Sequence, residues 1–141
     1  MNNDDIIKTI RSAIAEKKPI DLDEAIEWIW DAAYNTGDVS PFIDILNQLL
    51  VTPNHQQHQA IAKTLQDLKN PSSIPFAEKA LASGFDYLSY TCSESGVIAK
   101  WFSYLLFEIG TTEAIEVMKK YAQDPDESIG NEMRYRLAKI K

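Results

Sequence analysis

Eight helices paired into four stacked hairpins, an all-α fold, are predicted by three observations on the 141-residue sequence. Apolar residues recur at spacings of 3, 4 and 7, and no alternating apolar/polar run suits a strand. Ser, Thr, Asp, Gly and Pro punctuate these stretches at intervals suited to short turns. The stretches also repeat: Ile7 to Ile29, Ile43 to Leu65 and Ile115 to Leu137 are each 22 positions apart.

The first helix is expected from Asp4 to Lys17, with Ile6, Ile7, Ile10, Ala13 and Ile14 inward. Asp4 and Asp5 complement the dipole at its start, Lys17 and Lys18 at its end, and Pro19 stops it. Asp21, with Glu24 three residues on, caps a second helix that runs to about Asn35 and closes at Gly37. Ser40-Pro41 is read as cap and first turn of the third, with Phe42, Ile43, Leu46, Leu49 and Leu50 inward. Thr52-Pro53 opens the fourth, which ends at Asn70-Pro71; Ser72 or Ser73 opens the fifth, and Ser83-Gly84 closes it.

Phe85 to Ser93 is a longer, aromatic-rich connection. The sixth helix, Ser95 to Gly110 (SGVIAKWFSYLLFEIG), is too apolar to face solvent and is expected to be the most buried. Ile98, Phe102, Leu105, Leu106 and Ile109 form its stripe, and Trp101 and Phe107 extend it sideways, which calls for neighbours on more than one side. Thr111 or Thr112 caps the seventh helix, and Asp124-Pro125-Asp126 separates it from an eighth running to the C-terminus.

Composition fits one domain over residues 1–141 with a substantial core, since 45% of the residues are hydrophobic. No run of eighteen apolar residues occurs, and Asp4, Asp5, Lys8 and Arg11 interrupt the N-terminal twenty, so neither a membrane span nor a signal segment is expected. A lone cysteine, Cys92, excludes an internal disulfide and favours a cytoplasmic location. A net charge of -7 argues against nucleic-acid binding and suits a basic protein partner. The charge is unevenly placed. No Lys or Arg lies between Lys18 and Lys63, and that window holds Asp21, Asp23, Glu24, Glu27, Asp31, Asp38 and Asp44. It reads either as a solvated acidic face or as a binding surface.

The repeat extends beyond the 22-residue offset. Ile43, Leu46 and Leu50 recur as Ile74, Ala77 and Leu81, as Ile115, Met118 and Ala122, and as Ile7, Ile10 and Ile14. Ile61, Leu65 and Leu68 recur as Phe102, Leu106 and Ile109, and as Met133, Leu137 and Ile140. In the third pair, Ile74 to Leu106, the gap is 32, and the extra length falls in Phe85 to Ser93. The competing description is an irregular eight-helix bundle. With Asp124-Pro125-Asp126-Glu127 before the last helix, the pattern resembles the short bacterial HEAT-like repeat found among phycobilin-lyase-type repeat proteins, although the Arg that usually follows the turn is absent. The resemblance implies a right-handed α-α superhelix of about four HEAT-like hairpins, whose second helices line a concave binding side.

No catalytic constellation stands out, and the chain is not expected to be an enzyme, to hold a metal or to need a cofactor. His55 and His58, three apart, are neighboured by Gln56, Gln57 and Gln59 with no thiolate or carboxylate; they are read as an exposed polar helix start rather than a zinc site. Cys92 has no nearby cation to activate it. The five glycines form no phosphate-binding loop.

What remains is surface. If Leu22, Ala25, Ile29 and Ala32 face the core, then Asp23, Glu27, Trp30 and Tyr34 line the opposite face, with Asp31 beside them. Exposed Trp and Tyr ringed by carboxylates suit an interface; otherwise Trp30 packs against the first or third helix. Positions matching Glu27 and Trp30 in later repeats are Lys63 and Gln66, Tyr104 and Phe107, and Tyr135 and Ala138, a ladder read as aromatic and polar, not basic. The expected partner-binding residues are therefore Asp23, Glu27, Trp30, Asp31, Tyr34, Tyr104 and Phe107. The segment KNPSSIPFAEKAL, Lys69 to Leu81, is similar to helical immunity proteins of bacterial polymorphic-toxin and contact-dependent growth inhibition systems. That resemblance implies a protein, monomeric when free, that neutralises one cognate toxin domain, often a basic nuclease. The alternative is a HEAT-like scaffold or adaptor with no toxin link.

Overall fold

The structure, a computed structural model, describes residues 1–16 and 20–140. Lys17, Lys18 and Pro19, expected to close the first helix, lie outside the described residues, as does Lys141. Eight α-helices span α1 (Asn3–Glu16), α2 (Leu22–Thr36), α3 (Ile43–Leu50), α4 (His58–Leu68), α5 (Ile74–Ser83), α6 (Ser95–Ile109), α7 (Thr112–Tyr121) and α8 (Glu127–Leu137). Short 3-10 segments cover Ser40–Phe42, Pro71–Ser73 and Asp86–Thr91, and the described residues include no strand.

Most helix ends follow the local chemistry of the sequence. Asp21, Thr111 and Asp126 accept backbone N–H groups of Glu24, Ala114 and Ser128, satisfying amides that the first turn leaves without partners. Gly37 and Gly110 close α2 and α6 in the left-handed conformation, at φ +74° and +68°, where a Cβ would be strained. Three boundaries differ from expectation. Ser40-Pro41 begins a 3-10 turn rather than an α-helix, and the capping acceptor is Asp38, whose carboxylate takes both the Ser40 amide (3.0 Å) and hydroxyl (2.7 Å). Those hydrogen bonds, the hydroxyl first, hold the Asp38 carboxyl below its ordinary pKa. The last helix stops at Leu137 instead of continuing to the end.

The largest difference is at α4, which does not open on Thr52-Pro53. The Thr52 hydroxyl donates back to the Gln48 carbonyl (2.6 Å), and Asn54 turns the chain at φ +71°. The helix begins six residues later, at His58. A local Thr-Pro signal loses here to tertiary burial, because the intervening loop carries His55 into the core.

Packing sorts the helices into two rows. α1–α2, α3–α4, α5–α6 and α7–α8 pair in sequence order; α1, α3, α5 and α7 touch in succession, while α4–α6 and α6–α8 make the most extensive contacts. α1 and α2 make no extensive contact with α8. One continuous apolar core runs through both rows. α6 is enclosed by α4, α5, α7 and α8, burying Ile98, Ala99, Trp101, Phe102, Ser103, Leu105 and Leu106. Ile109, expected as the last member of that stripe, is only half-buried because the helix ends there. In α2 the buried residues are Ala25, Ile26 and Ile29; Leu22 and Ala32 sit at the margins, so the inward face is turned by about one residue from the expected one.

Polar core contacts join consecutive units. Buried Asn47 of α3 accepts from the Ser73 hydroxyl (2.7 Å) and donates to Ser72 (3.2 Å), fastening α3 to the turn that starts α5. The residues 85–93 connection is a docked element rather than an open loop: Leu88 is buried, Phe85 stacks on Phe102 at 5.7 Å, and the Tyr87 hydroxyl donates to the Leu50 carbonyl (2.9 Å). Because Phe102 is fully buried between rows, Phe102→Ala is expected to lower unfolding free energy by about 3–5 kcal/mol. Val97→Ala, on the exposed side of the same helix, should cost under about 1 kcal/mol. Urea denaturation of the two variants checks this, and equal losses would contradict the central role of α6.

Candidate protein interface

The outward face of α2 presents Asp23, Glu27, Trp30, Asp31 and Tyr34, but these residues play two different parts. Tyr34 is 88% exposed, with Asp31 exposed one turn before it and Glu24 exposed near the start of the helix, and neither carboxylate has a hydrogen-bond or ion-pair partner among the described residues. Asp23, Glu27 and Trp30 are instead engaged by the α3–α4 connection. The Asp23 carboxylate accepts the Gln56 backbone N–H (2.7 Å), and Glu27 accepts the Gln57 side-chain amide (3.3 Å). The Gln57 carbonyl oxygen in turn accepts the Trp30 indole N–H (3.4 Å). Trp30 is thus half-buried against the core, not a free aromatic, and Tyr34 is the open anchor.

None of the seven carboxylates of the base-free window forms an ion pair among the described residues. Neutral donors relieve the crowding where it is relieved at all: backbone amides at Asp21, Asp23 and Asp38, and a side-chain amide at Glu27. Their negative charge is therefore left uncancelled on this surface.

The connection that grips α2 is itself held by a buried histidine pair, which the sequence reading placed at the surface. His55 and His58 are 3% and 1% exposed, and their rings stack at 3.7 Å. His55 Nε2–H donates to the Leu49 carbonyl (2.8 Å), and its Nδ1 accepts the Gln57 N–H (3.1 Å). His58 Nε2–H donates to the Thr52 carbonyl (2.7 Å), and its Nδ1 accepts the Tyr90 hydroxyl (2.6 Å). Each neutral imidazole is fully satisfied in this tautomer, which leaves no lone pair for a metal. Burial, then the neighbouring His55, pushes His58 down to about 4, and burial lowers His55 as well. Burial pushes Tyr87 up to about 12 and raises Tyr90, so both phenols stay protonated and able to donate.

The other expected site residues lie along α6. Tyr104 is 36% exposed, and Phe107 is half-buried with its ring stacked on Tyr104 at 6.3 Å. They do not join the α2 cluster; they belong to a separate patch formed with α8. The Arg136 guanidinium lies over Tyr104 (5.0 Å), Phe107 (5.7 Å) and Tyr135 (5.3 Å), and Lys139 lies over Tyr135 (5.0 Å). The ladder positions Tyr104, Phe107 and Tyr135 are aromatic as expected, but Arg136 and Lys139, which lie outside the ladder, bring cations over them. Gln66, expected on its open face, donates to the Trp101 carbonyl (3.0 Å).

No protein-family model, curated protein or solved structure matches this chain. What the surfaces can do rests on their own chemistry. Gln56, Gln57 and Arg136 are the residues that sequence reasoning missed. Only the repeat register, which sets Tyr135 in line with Tyr104, pointed toward the last.

The histidine pair makes a prediction about acid. Both folded-state pKa values lie below that of a free histidine, so the unfolded chain takes up protons first as pH falls. The stabilisation is complete above about pH 6.5 and is lost toward pH 4. Asp23 pulls weakly the other way, while Tyr87 and Tyr90 remain neutral throughout. His58 alone should remove about 2 kcal/mol of unfolding free energy between pH 7 and pH 5. Urea titrations at the two pH values measure it, and unchanged stability would contradict the buried, neutral assignment.

Proposed function

We propose that this chain is a protein-binding module, built as about four HEAT-like hairpins in a right-handed superhelix, that docks a basic partner over the acidic face of α2. The observation that carries the reading is Tyr34, an almost fully exposed aromatic set among carboxylates that no base neutralises. Interface anchors favour Tyr, and complementary charge speeds the encounter. The backing of this face is pre-organised, because Gln56 and Gln57 already fix Asp23, Glu27 and Trp30. A rigid surface loses less conformational entropy on binding.

The similarity of Lys69 to Leu81 to immunity proteins of toxin and contact-dependent growth inhibition systems supports a narrower reading. The partner is then a cognate toxin domain, a basic nuclease being the kind whose active-site charge this face would mimic and cover. Binding, rather than catalysis, is the activity proposed.

The experiment is affinity capture followed by kinetics on the purified partner. Wild-type protein should retain a protein with a basic surface, and Glu27→Lys with Asp31→Lys should slow association about ten-fold and flatten its salt dependence. Tyr34→Ala should act mainly on dissociation, by about 2 kcal/mol. Cys92→Ser, at an exposed position behind a 3-10 turn, should change neither rate. Association that is indifferent to charge reversal on α2 would defeat the proposal.

A further inference from the structure

Of the two bases of α8, the fold uses one and leaves the other without a polar partner. Arg134 spends its guanidinium internally: it donates to the Ala122 carbonyl at the end of α7 and to Asn131, and it pairs with Glu127 at 3.6 Å. Arg136 has no hydrogen-bond acceptor and no ion pair, although its Nε is buried. Its environment is instead three aromatic rings, Tyr104, Phe107 and Tyr135. Glu108 is a carboxylate on the same surface, but it is committed to the Tyr104 hydroxyl and to Lys69 at 3.2 Å. Glu132, one turn before Arg136, has a buried Oε2 that also lacks a partner, and the two do not meet within ion-pair distance.

A guanidinium is planar by resonance, and its fork of N–H donors matches a carboxylate. The rings immobilise the fork and leave its hydrogen-bonding capacity unspent. In front of it lies a cleft of about 290 Å3, lined by Gln66, Lys100, Trp101, Tyr104 and Arg136. That volume sits at the lower edge of ligand pockets and suits one or two side chains rather than a cofactor. Lys100 and Lys139 flank it as unpaired cations, and Tyr135, 54% exposed, extends its rim.

We propose that Arg136, with Lys100, Lys139 and the rings of Tyr104 and Tyr135, forms a binding site for an acidic, carboxylate-bearing segment of a protein. A nucleic acid is disfavoured: binding a polyanion takes an extended basic stripe, whereas this patch holds three free cations on a chain of net charge -7. The site goes beyond the α2 surface and is opposite to it in sign, and it stands whether or not the α2 reading does.

The test is an NMR titration at low salt with an N-acetylated glutamate tetrapeptide, using the glutamine tetrapeptide and oligothymidylate as comparisons. Saturable shifts are expected at the Arg136 Nε–H and the Trp101 indole N–H, with the Trp30 indole N–H on α2 unmoved. Arg136→Lys keeps the charge but loses the fork, and should weaken peptide binding about ten-fold. If that variant does not fold by circular dichroism, the Lys100→Gln/Lys139→Gln double variant, at two exposed positions, should weaken it about five-fold. No saturable shift, equal response to the glutamine peptide, tighter binding of oligothymidylate, or undiminished affinity in Arg136→Lys would each overturn the proposal.

Discussion

Because Phe102, Leu105 and Leu106 are buried from more than one side, α6 must be enclosed by four other helices, and that enclosure sets the positions of α4, α5, α7 and α8. Each fully buried Phe or Leu of this kind contributes about 1.5–3 kcal/mol, so the apolar residues of one helix rival the whole net stability of a small domain. The order of the two rows follows from this. A helix covered on several sides cannot also be a surface, and the open positions along its row pass to the exposed edge of α6 and to α8. Tyr104 and Tyr135 are exposed there for that reason.

A second constraint is polar and acts at the other end. His55 and His58 fill the volume between α3, α4 and the Asp86–Thr91 turn, where an aliphatic side chain would leave the Thr52 carbonyl without its donor and would take a second donor from the Leu49 carbonyl, which also accepts the Thr52 N–H (3.2 Å). A neutral imidazole supplies the missing N–H and accepts a donor on its other side. The long insertion then has a physical role, since Tyr90 gives His58 its second hydrogen bond and Tyr87 caps Leu50. From this polar core the chain emerges at Gln56 and Gln57, which hold α2. The acidic surface is therefore backed by a network that depends on two uncharged histidines.

The number and approximate positions of the helices, the caps of α2 and α7 and the enclosure of α6 were legible in the sequence, because capping and apolar periodicity are local properties. The expected caps at Asp21 and Thr111 and the glycine stops at Gly37 and Gly110 are all observed. What could not be read was decided by partners far away in the chain. Thr52-Pro53 has the local form of a helix start, yet the burial of His55 delays α4. Two histidines among glutamines look hydrophilic until the carbonyls they serve are known. Trp30 faces outward by periodicity, but Gln57, 27 residues on, draws its N–H inward. Arg136 is one cation among many in composition, and only the packing of α8 on α6 sets it over three rings.

The contact pattern also explains why a sequence window became a surface. In an irregular bundle, helices distant in the chain are mixed in space, and the bases beyond Lys63 would fall among the acids of α2. Here α1 and α2 make no extensive contact with α6 or α8, so the acids of α2 stay apart from the bases of those helices. Of the ion pairs among the described residues, Lys69–Glu108 and Lys120–Glu78 join elements from α4 to α7, while Lys119–Glu116 and Arg134–Glu127 lie within α7 and α8. Of the groups without ion pairs among the described residues, Asp23, Glu24, Glu27 and Asp31 share α2, and Lys100, Arg136 and Lys139 lie where α6 meets α8, while Lys8, Arg11, Lys63 and Lys79 lie on other helices. Screening over roughly 8 Å at physiological salt keeps such regions from cancelling each other unless they touch. The charge run of the sequence thus stays together as an acidic region on α2, next to the exposed Tyr34, apart from the cations and rings where α6 meets α8.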